Sequence, residues 1–460
     1  MPTEKLSSRA IVIGGGVAGK LSARVLADYF EEVMIIEKDH KQDQPQNRSG
    51  VPQGLHGHAL LKSGEEILEE FFPGIIDELQ DSGAVSANFS RDLAWFHHGS
   101  WKIRSHSQLM TIQQSRPFLE YHIQKRLQHI STVHSIYGAK PLRLVLDAKK
   151  TSIAGIEYQT EEGKVEEIDA NLVIDASGAA TFTTQWLKKN GIATPPIDEI
   201  QVNLCYASRA YEHLSPEDRD WKGLLVYPNP PHQIRGGGMY QIEANKWMVT
   251  LFGYGLDSPP KTDKEFLEHA AILDHPSFFG AIIDGKPASE VNIYRFPKMR
   301  RFRYEKMENL PNGLIVIGDA LCRIDPVFAQ GMSLSALEAK QLEKVLKQAT
   351  KHQSLEAISK KAHQEFQRVL SIPWLIASIE DFRFPHTTGN RFFGLSFLQG
   401  YIKRVMLACS DNQIVYEKFM NVLHLKAHPA TLFAPKMIKS ILFKTVTPRH
   451  NLDKEKVIRS

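Results

Sequence analysis

The feature that most constrains the fold of this chain is a glycine-rich turn close to the N-terminus. Residues 10–13 are apolar, and Gly14, Gly16 and Gly19 follow them in the spacing Gly-x-Gly-x-x-Gly. A helical pattern comes next, and a second apolar run occupies residues 33–36. A strand, a tight turn, a helix and a second strand within about 30 residues predict one βαβ unit of a parallel sheet.

The glycines and the acidic residue after the second strand predict a dinucleotide site. Gly14, Gly16 and Gly19 would allow a tight turn, close approach of a pyrophosphate and close packing of helix on strand. Glu37 ends the second strand, where a carboxylate binds ribose hydroxyls and disfavours a 2′-phosphate. Free N–H groups at the helix N-terminus would bind the phosphates. The pattern indicates FAD or NAD; the alternative is a glycine-rich turn between core elements.

A second segment points to FAD. Gly318-Asp319-Ala320 follows an apolar strand at 314–317, and residues 325–333 read Asp-Pro-x-x-x-Gln-Gly-Met-Ser at the start of a long helical pattern. A helix N-terminus near a flavin ring stabilises the anion that forms on reduction. This arrangement resembles the second FAD motif of flavin-dependent monooxygenases related to the aromatic hydroxylases.

The resemblance implies roles for four residues of the second segment. Asp319 would bind the ribityl chain and Pro326 would lie near the flavin ring. The backbone amides of Gly331 and Met332 would face the pyrimidine end of the ring. The alternative for Asp319 is that it only caps a helix.

Two further sites match the family between these segments. Asp175-Ala176-Ser177-Gly178 resembles the central motif where the chain passes the FAD pyrophosphate, which implies cofactor contacts at Asp175 and Gly178. Relatives commonly continue with Arg-Gly, whereas this chain has Ala179-Ala180, so contacts by those two positions stay open. Arg116, at a helix start, looks like the family's arginine near the flavin and pyrophosphate; the alternative is a surface salt bridge.

Other segments make the resemblance more specific. They are similar to the FAD-dependent epoxidases and hydroxylases of polyketide and terpenoid metabolism, and they lie at residues 49–58, 115–120, 294–297 and 419–424. In the first of them, His56 and His58 are candidate catalytic residues, because a histidine can exchange a proton with a peroxide oxygen or a substrate hydroxyl. Loop stabilisation or FAD contact is the alternative. No Cys/His/Asp cluster accompanies them, so no metal site is expected.

The predicted fold class is α/β with three parts. A Rossmann-like FAD-binding domain is built from the discontinuous segments 1–80, 115–190 and 305–350. A mixed or antiparallel β-sheet substrate domain covers 81–114 and 191–304, with strands expected at 201–211, 222–228, 234–243 and 246–254 and a hairpin turn at Asn245-Lys246. A helical C-terminal region covers 351–460.

The resemblance implies a monooxygenase that epoxidises or hydroxylates a hydrophobic metabolite with O2 through a flavin C4a-hydroperoxide. Only one dinucleotide fingerprint is present, so NAD(P)H is expected to act transiently or through a flavin reductase. Candidate residues of a dry substrate cavity are Trp95, Trp101, Trp221, Trp247 and Phe252. Alternatives are a halogenase, although no Trp-x-Trp-x-Ile-Pro segment occurs, an FAD-dependent reductase or dehydrogenase of an isoprenoid, and a flavoprotein that binds a ligand without turnover.

The composition limits which binding partners and which cellular compartment are expected. The chain has 56 basic and 52 acidic residues, and its net charge of +4 does not indicate nucleic-acid binding. Three widely spaced cysteines fit a reducing compartment, and no signal peptide or membrane span is recognisable, so a cytoplasmic protein is expected. Residues 436–459 are basic and amphipathic, which suggests peripheral membrane contact; packing against the chain's own domain is the alternative.

Overall fold

The computed structural model of the chain describes residues 5–216, 219–255, 258–352 and 354–442. Within them the strands are β1 (Ser7–Ile13), β2 (Phe30–Ile36), β3 (Val85–Asn88), β4 (Leu93–His97), β5 (Ser100–Trp101), β6 (Met110–Gln113), β7 (Val133–Ile136), β8 (Lys140–Leu146), β9 (Ile153–Gln159), β10 (Val165–Asp169), β11 (Leu172–Asp175), β12 (Ile197–His213), β13 (Gly223–Val226), β14 (Arg235–Gln241), β15 (Trp247–Gly253), β16 (Lys286–Pro287), β17 (Asn292–Phe302), β18 (Leu314–Val316), β19 (Cys322–Arg323) and β20 (Thr388–Gly389).

The α-helices of the same residues are α1 (Val17–Leu26), α2 (Lys62–Phe71), α3 (Ile75–Asp81), α4 (Phe89–Asp92), α5 (Arg116–Gln128), α6 (Phe182–Lys189), α7 (Asp263–Ala271), α8 (Ser277–Ile282), α9 (Gly331–His352), α10 (Ile358–Asp381), α11 (Leu395–Ala408), α12 (Gln413–Leu423) and α13 (Pro435–Leu442). The α/β class and the predicted βαβ unit, β1–α1–β2, are confirmed.

A parallel sheet of five strands, in the order β18-β11-β1-β2-β7, forms the centre of the nucleotide-binding part. Ile13 pairs in register with Ile36 on one side and with Asp175 on the other, and Asp175 pairs with Val316. Since all these strands are parallel, their carboxyl ends lie level at one edge of the sheet. The segments that follow them, beginning at Gly14, Glu37, Ala176 and Ile317, therefore meet there.

The sheet is assembled from segments far apart in the chain, as the predicted discontinuous domain requires. A separate antiparallel sheet of three strands, β8, β9 and β10, lies in sequence between β7 and β11. Helices α1 and α9 pack against each other, and α10 packs on α9. Residues 10–13 are at most 1% exposed, which places β1 in the centre of the main core.

A second, larger sheet is formed mainly by the segments predicted to make up the substrate domain. It runs in the order β19-β17-β12-β15-β14-β13-β4-β5, and β16 and β20 also pair with the long strand β12. The four strands expected between 201 and 254 are present as β12 to β15. The hairpin between β14 and β15 turns at Ala244 and Asn245, whose φ angles are 58° and 55°, one residue earlier than predicted. Asn tolerates this left-handed conformation, and its neighbour Ala244 must adopt it as well.

The C-terminal part is helical, as expected, up to the last described residue. Helices α11, α12 and α13 share a core of their own with Trp95 and Leu109. Residues 443–460 lie outside the described part, so most of the segment 436–459, for which membrane contact was expected, is not described. Among the described helices, none is both long enough and apolar enough to cross a bilayer.

We predict that Gly19→Ala lowers the stability of the part of the protein that is built on the parallel sheet. A Cβ at Gly19 would lie 1.8 Å from the carbonyl oxygen of Gly14, so helix α1 would have to move away from the turn. Forcing atoms into a packed site destabilises proteins, and we expect the free energy of unfolding in urea to fall by about 3 kcal/mol, with loss of visible flavin absorbance.

The matched control is Gly400→Ala inside α11, where a Cβ meets nothing within 4 Å. That substitution should raise the free energy of unfolding by about 0.5–1 kcal/mol because alanine favours a helix. Equal stability of the Gly19→Ala variant and the unchanged protein would contradict the close contact.

Candidate functional site

A cavity of about 560 Å³ lies along the carboxyl edge of the parallel sheet. It brings together most of the residues expected to bind the cofactor or to act in catalysis. Those that line it are Gly14, Gly16, Glu37, His56, His58, Arg116, Gly178, Asp319, Pro326, Gly331 and Met332. Residues separated by more than 300 positions in sequence thus share one cavity.

Gly19 and Asp175 do not line this cavity. Gly19 lies in the first turn of α1, where it contacts the Gly14 carbonyl. Asp175 is fully buried, and its two carboxylate oxygens accept hydrogen bonds from the backbone N–H of Ser177 (2.9 Å) and of Thr183 (2.7 Å). The cofactor contact of Asp175 stays a prediction, and in the structure its side chain holds the loop that bears Ser177 and Gly178.

Two helix N-termini face the cavity. Helix α1 begins after Gly16 with no capping side chain and no acidic residue in its first turn, and α9 begins at Gly331, likewise without an acidic residue there. Cβ atoms at Gly178 and Gly331 would meet nothing within 4 Å, so these glycines leave open space for a ligand. Free N–H groups beside such space fit a pyrophosphate at α1 and an electron-rich ring edge at α9. The residues present therefore fit FAD.

The carboxylate of Glu37 is held in place at the end of β2. It accepts hydrogen bonds from the N–H of Gly15 (2.6 Å) and of Asp39 (2.9 Å). Arg48 pairs with Glu37 at 3.0 Å, and also with Asp39 at 3.1 Å and Glu120 at 2.7 Å. Sequence reasoning missed Arg48, because its three carboxylate partners come from two separate segments and no spacing pattern marks it.

Glu120 joins this network to the predicted Arg116. Arg116 Nε donates to Glu120 at 2.8 Å, and Lys20 Nζ lies 3.4 Å from the same carboxylate. Burial alone would raise the pKa of Glu120, but Arg116, Lys20 and Arg48 together hold it well below the usual range. Burial lowers the pKa of Lys20 to about 8. The cavity wall thus contains buried charges of both signs that neutralise one another.

Asp319 follows β18 and retains an exposed side chain at the cavity, 3.7 Å from Arg323. The turn that bears it is fixed by Glu338 of α9, whose carboxyl accepts the N–H of Gly318 at 2.8 Å. Burial raises the pKa of Glu338 to about 8, so this carboxyl is protonated at neutral pH. The neighbouring helix therefore sets the position of Asp319.

His56 and His58 lie on opposite sides of Gly57 and have different surroundings. His56 Nδ1 is 2.8 Å from the Ser208 hydroxyl, and burial lowers the pKa of His56 to about 4. His58 Nε2 donates to the Gln53 carbonyl at 2.7 Å, and burial lowers its pKa to about 3. Both side chains are therefore neutral imidazoles at physiological pH.

A second cavity of about 260 Å³ adjoins the first. Its wall is mainly apolar, and the residues that line both cavities are Gly57, His58, Ala59, Tyr206, Pro326 and Ala329. Pro326 and His58 thus stand where the end of one cavity meets the other. The sequence indicated both residues but could not show that a second cavity lies beyond them.

Two of the five aromatic residues expected in a substrate cavity, Trp95 and Phe252, line this second cavity. The other three do not: Trp101 and Trp221 belong to a core cluster on the other side of the sheet, and Trp247 packs against it. For Trp247 and Phe252, which are five residues apart on β15, the reason is that side chains alternate between the two faces along a strand.

Two buried carboxyl groups meet at the wall of the second cavity. Asp325 accepts hydrogen bonds from the Tyr254 hydroxyl (2.8 Å) and from the N–H of Val327 (2.8 Å). Asp381, the last residue of α10, is fully buried, and its carboxyl lies within hydrogen-bonding reach of the Asp325 carboxyl. Burial, and then the adjacent Asp325 carboxyl, raise the pKa of Asp381 well above its usual range. Asp381 is therefore the protonated member of the pair, and it can donate a hydrogen bond to the Asp325 carboxyl, which already has two other donors.

No group of three or more potential metal ligands occurs among the described residues.

Comparison with known proteins matches a family model, described as FAD binding domain, to residues 7–371. A protein of Mycobacterium tuberculosis named Rv3254 is 27% identical over 395 residues, which cover 83% of this chain and 81% of that protein.

Solved structures share the fold at low sequence identity. The flavin-dependent brominase Bmp2 superposes with a TM-score of 0.65 at 14% identity, over 91% of this chain and 93% of that one. The p-nitrophenol 4-monooxygenase PnpA of Pseudomonas putida superposes with a TM-score of 0.65 at 15% identity, over 92% and 99%.

We predict that the free energy of unfolding of Glu338→Gln falls less with rising pH than that of the unchanged protein. The folded-state pKa of about 8 lies above the unfolded value, so the unfolded chain ionises first as pH rises from about 4.5 to 8. This residue therefore stabilises the fold at low pH, and its contribution is lost as pH rises through that window. Urea unfolding at pH 5 and pH 8 should show the advantage of Glu338→Gln growing by roughly 2–4 kcal/mol.

Glu343→Gln serves as the control, because this residue lies on the same helix but pairs with Lys340 near the surface. Its effect should be nearly constant over the same pH range. An advantage of Glu338→Gln that is unchanged between pH 5 and pH 8 would show that Glu338 ionises normally.

Proposed function

The chain belongs to the FAD-binding domain family of flavin-dependent monooxygenases, and from this premise we propose that it epoxidises or hydroxylates a hydrophobic small-molecule metabolite. The observation that carries the proposal is the second, mainly apolar cavity that meets the cofactor cavity at Pro326 and His58. A compound held there would lie against the reacting end of the cofactor.

FAD, when bound, would supply the reaction with O2 activation and electron transfer. The first cavity offers contacts along its length for such a molecule. We propose that the N-terminus of α1 at Gly16 binds the pyrophosphate and that Glu37 binds the ribose. Asp319 would hold the ribityl chain, and the amides of Gly331 and Met332 would face the pyrimidine edge of the ring.

The remaining task of the protein is to exclude water and to orient the substrate. Apolar walls such as Phe252 supply the first requirement. Orientation requires polar groups, and two buried donors on the cavity wall, Trp95 Nε1 and the Tyr206 hydroxyl, have no hydrogen-bond partner within the described residues. We propose that they bind an oxygen of an otherwise apolar substrate, since unpaired buried donors are costly.

Electrons would come from NAD(P)H. The sequence holds one dinucleotide fingerprint, and its turn lies at the cavity proposed for FAD. We therefore propose that the nicotinamide either binds transiently or reduces a separate flavin reductase that supplies this protein.

The first test is a rapid-mixing experiment with the purified flavoprotein. It would be reduced without oxygen by NADPH, NADH or dithionite in separate runs, then mixed with O2 while the flavin spectrum is followed. We expect a transient near-ultraviolet absorbance before the oxidised flavin returns, because a dry cavity protects the oxygenated state from water. Reoxidation in a single step without this transient absorbance, even with a hydrophobic ligand bound, would favour a reductase or dehydrogenase.

Dependence on halide ions distinguishes the proposed monooxygenase from a halogenase, which is the alternative that the structural likeness to the brominase suggests. If the protein were a halogenase, chloride or bromide would change the decay of the transient and would appear in the product. A product containing an oxygen atom derived from 18O-labelled O2, formed equally without halide, would support oxygen insertion.

A second prediction concerns the candidate catalytic histidine His56. Its pKa of about 4 keeps the imidazole neutral in the folded protein, so it can accept or relay a proton but does not titrate near pH 6.5. We expect His56→Asn, which preserves the contact to Ser208, to slow reoxidation of the reduced flavin at every pH from 6 to 8 by a similar factor. An inflection near pH 6.5 in the unchanged protein that disappears in the variant would contradict the neutral state.

A further inference from the structure

The C-terminal helices carry an exposed aromatic surface that the proposed reaction does not use. Phe393 is fully exposed just before α11, and Phe397 in its first turn is 69% exposed. Large apolar side chains at such exposure mark an interaction site when they occur together.

Two further exposed apolar side chains, Phe433 and Leu442, extend this surface. Tyr401 follows Phe397 by one helical turn, and its ring stacks on Phe433 with centroids 4.5 Å apart. On the next turn, a guanidinium nitrogen of Arg404 lies 3.5 Å from the Leu442 carbonyl oxygen. Phe433 and Leu442 are each more than one-third exposed. We call Phe393, Phe397, Phe433 and Leu442 the docking surface.

The surroundings of the docking surface are strongly basic. The described residues 382–442 contain eight Lys and Arg but two Asp and Glu, a net charge of +6, whereas the whole chain has +4. From 382 to 452 the acidic residues are Asp411 and Glu417. The exposed cations closest in sequence to the docking surface are Arg391, Lys403, Arg404, Lys436 and Lys439. An apolar patch with a basic rim complements a negatively charged, partly apolar partner.

We propose that the docking surface binds an anionic lipid bilayer. Phe393 and Phe397 insert at the level of the headgroups, and Lys403 and Arg404 contact the negative charges of the lipids. The observation that carries this assignment is the combination of two exposed phenylalanines with a region almost free of acidic residues.

Charge also argues against two other occupants of the docking surface, namely a second copy of this chain and the chain's own residues 443–460. A symmetric pair of chains would place one basic surface against another, and like charges across an interface are costly. Residues 443–460 carry five Lys and Arg and two Asp and Glu, so they would add positive charge to the surface rather than neutralise it.

Docking in this way has a consequence for substrate supply. Ile402 and Met406 of α11 line the second cavity, while Phe397 of the same helix faces outward. One helix therefore separates the proposed bilayer from the proposed substrate. This consequence rests on the proposed function, whereas the docking itself does not depend on which reaction the protein catalyses.

The test is flotation of the full-length flavoprotein with lipid vesicles. Vesicles of phosphatidylcholine with about one-third phosphatidylglycerol should bind the protein, pure phosphatidylcholine should bind it far less, and high salt should release it. Two double variants, Phe393→Ser/Phe397→Ser and Lys403→Glu/Arg404→Glu, should each weaken binding by about tenfold or more.

Matched controls exist elsewhere on the surface. Val165→Ser/Ile272→Ser removes two exposed apolar side chains, and Lys360→Glu/Lys361→Glu reverses two exposed helical cations on α10. Both controls should bind vesicles as the unchanged protein does. Visible flavin absorbance, retained in all four variants, would show that each is folded.

A separate readout locates the inserted side chain. In Phe397→Trp, the added indole fluorescence should be quenched by lipids brominated on their acyl chains. The proposal is overturned if the full-length protein fails to float with anionic vesicles, if Phe393→Ser/Phe397→Ser binds undiminished, or if bromolipids leave the added fluorescence unchanged. It is also overturned if the phenylalanine variant abolishes a dimer in solution, which would identify a second copy as the occupant.

Discussion

The close contact between helix α1 and strand β1 is the constraint on which the rest of the site depends. At Gly19 the helix backbone comes so near the Gly14 carbonyl that no side chain fits between them. This contact aims the N-terminus of α1 along the carboxyl edge of the parallel sheet, where β2, β11 and β18 also end. A nucleotide site follows because free N–H groups, a carboxylate and open backbone meet at one edge.

Buried ionisable groups keep that edge rigid without much exposed charge. Arg48 connects Glu37 with Glu120, and so links the loop after β2 to helix α5. Glu338, protonated at neutral pH, fixes the turn before Asp319 from helix α9. Such groups are costly to bury singly and stabilise the fold only with their partners, so the cavity keeps its shape before a ligand arrives.

The carboxyl pair of Asp325 and Asp381 joins three parts of the molecule. Asp325 orients the turn at Pro326, which lines both cavities, and Asp381 ends helix α10 at the start of the basic C-terminal region. Tyr254, from the end of the large sheet, donates to the same group. Asp325 and Asp381 therefore lie where the loop at Pro326, the large sheet and the C-terminal helices meet.

The local elements of the cofactor site can be predicted from the amino-acid sequence, because they depend on backbone sterics that leave a fixed spacing of residues. The turn of Gly14, Gly16 and Gly19, the strand ending at Glu37 and the helix starting at Gly331 were all recognisable in this way. The surroundings of these elements, in contrast, follow from how distant parts of the chain pack together. It enclosed the Asp175 carboxylate in hydrogen bonds to its own loop, separated Trp95 from Trp101 and paired Arg48 with three carboxylates from two segments. Those outcomes depend on strand register and on packing between distant segments, and neither leaves a pattern along a single chain.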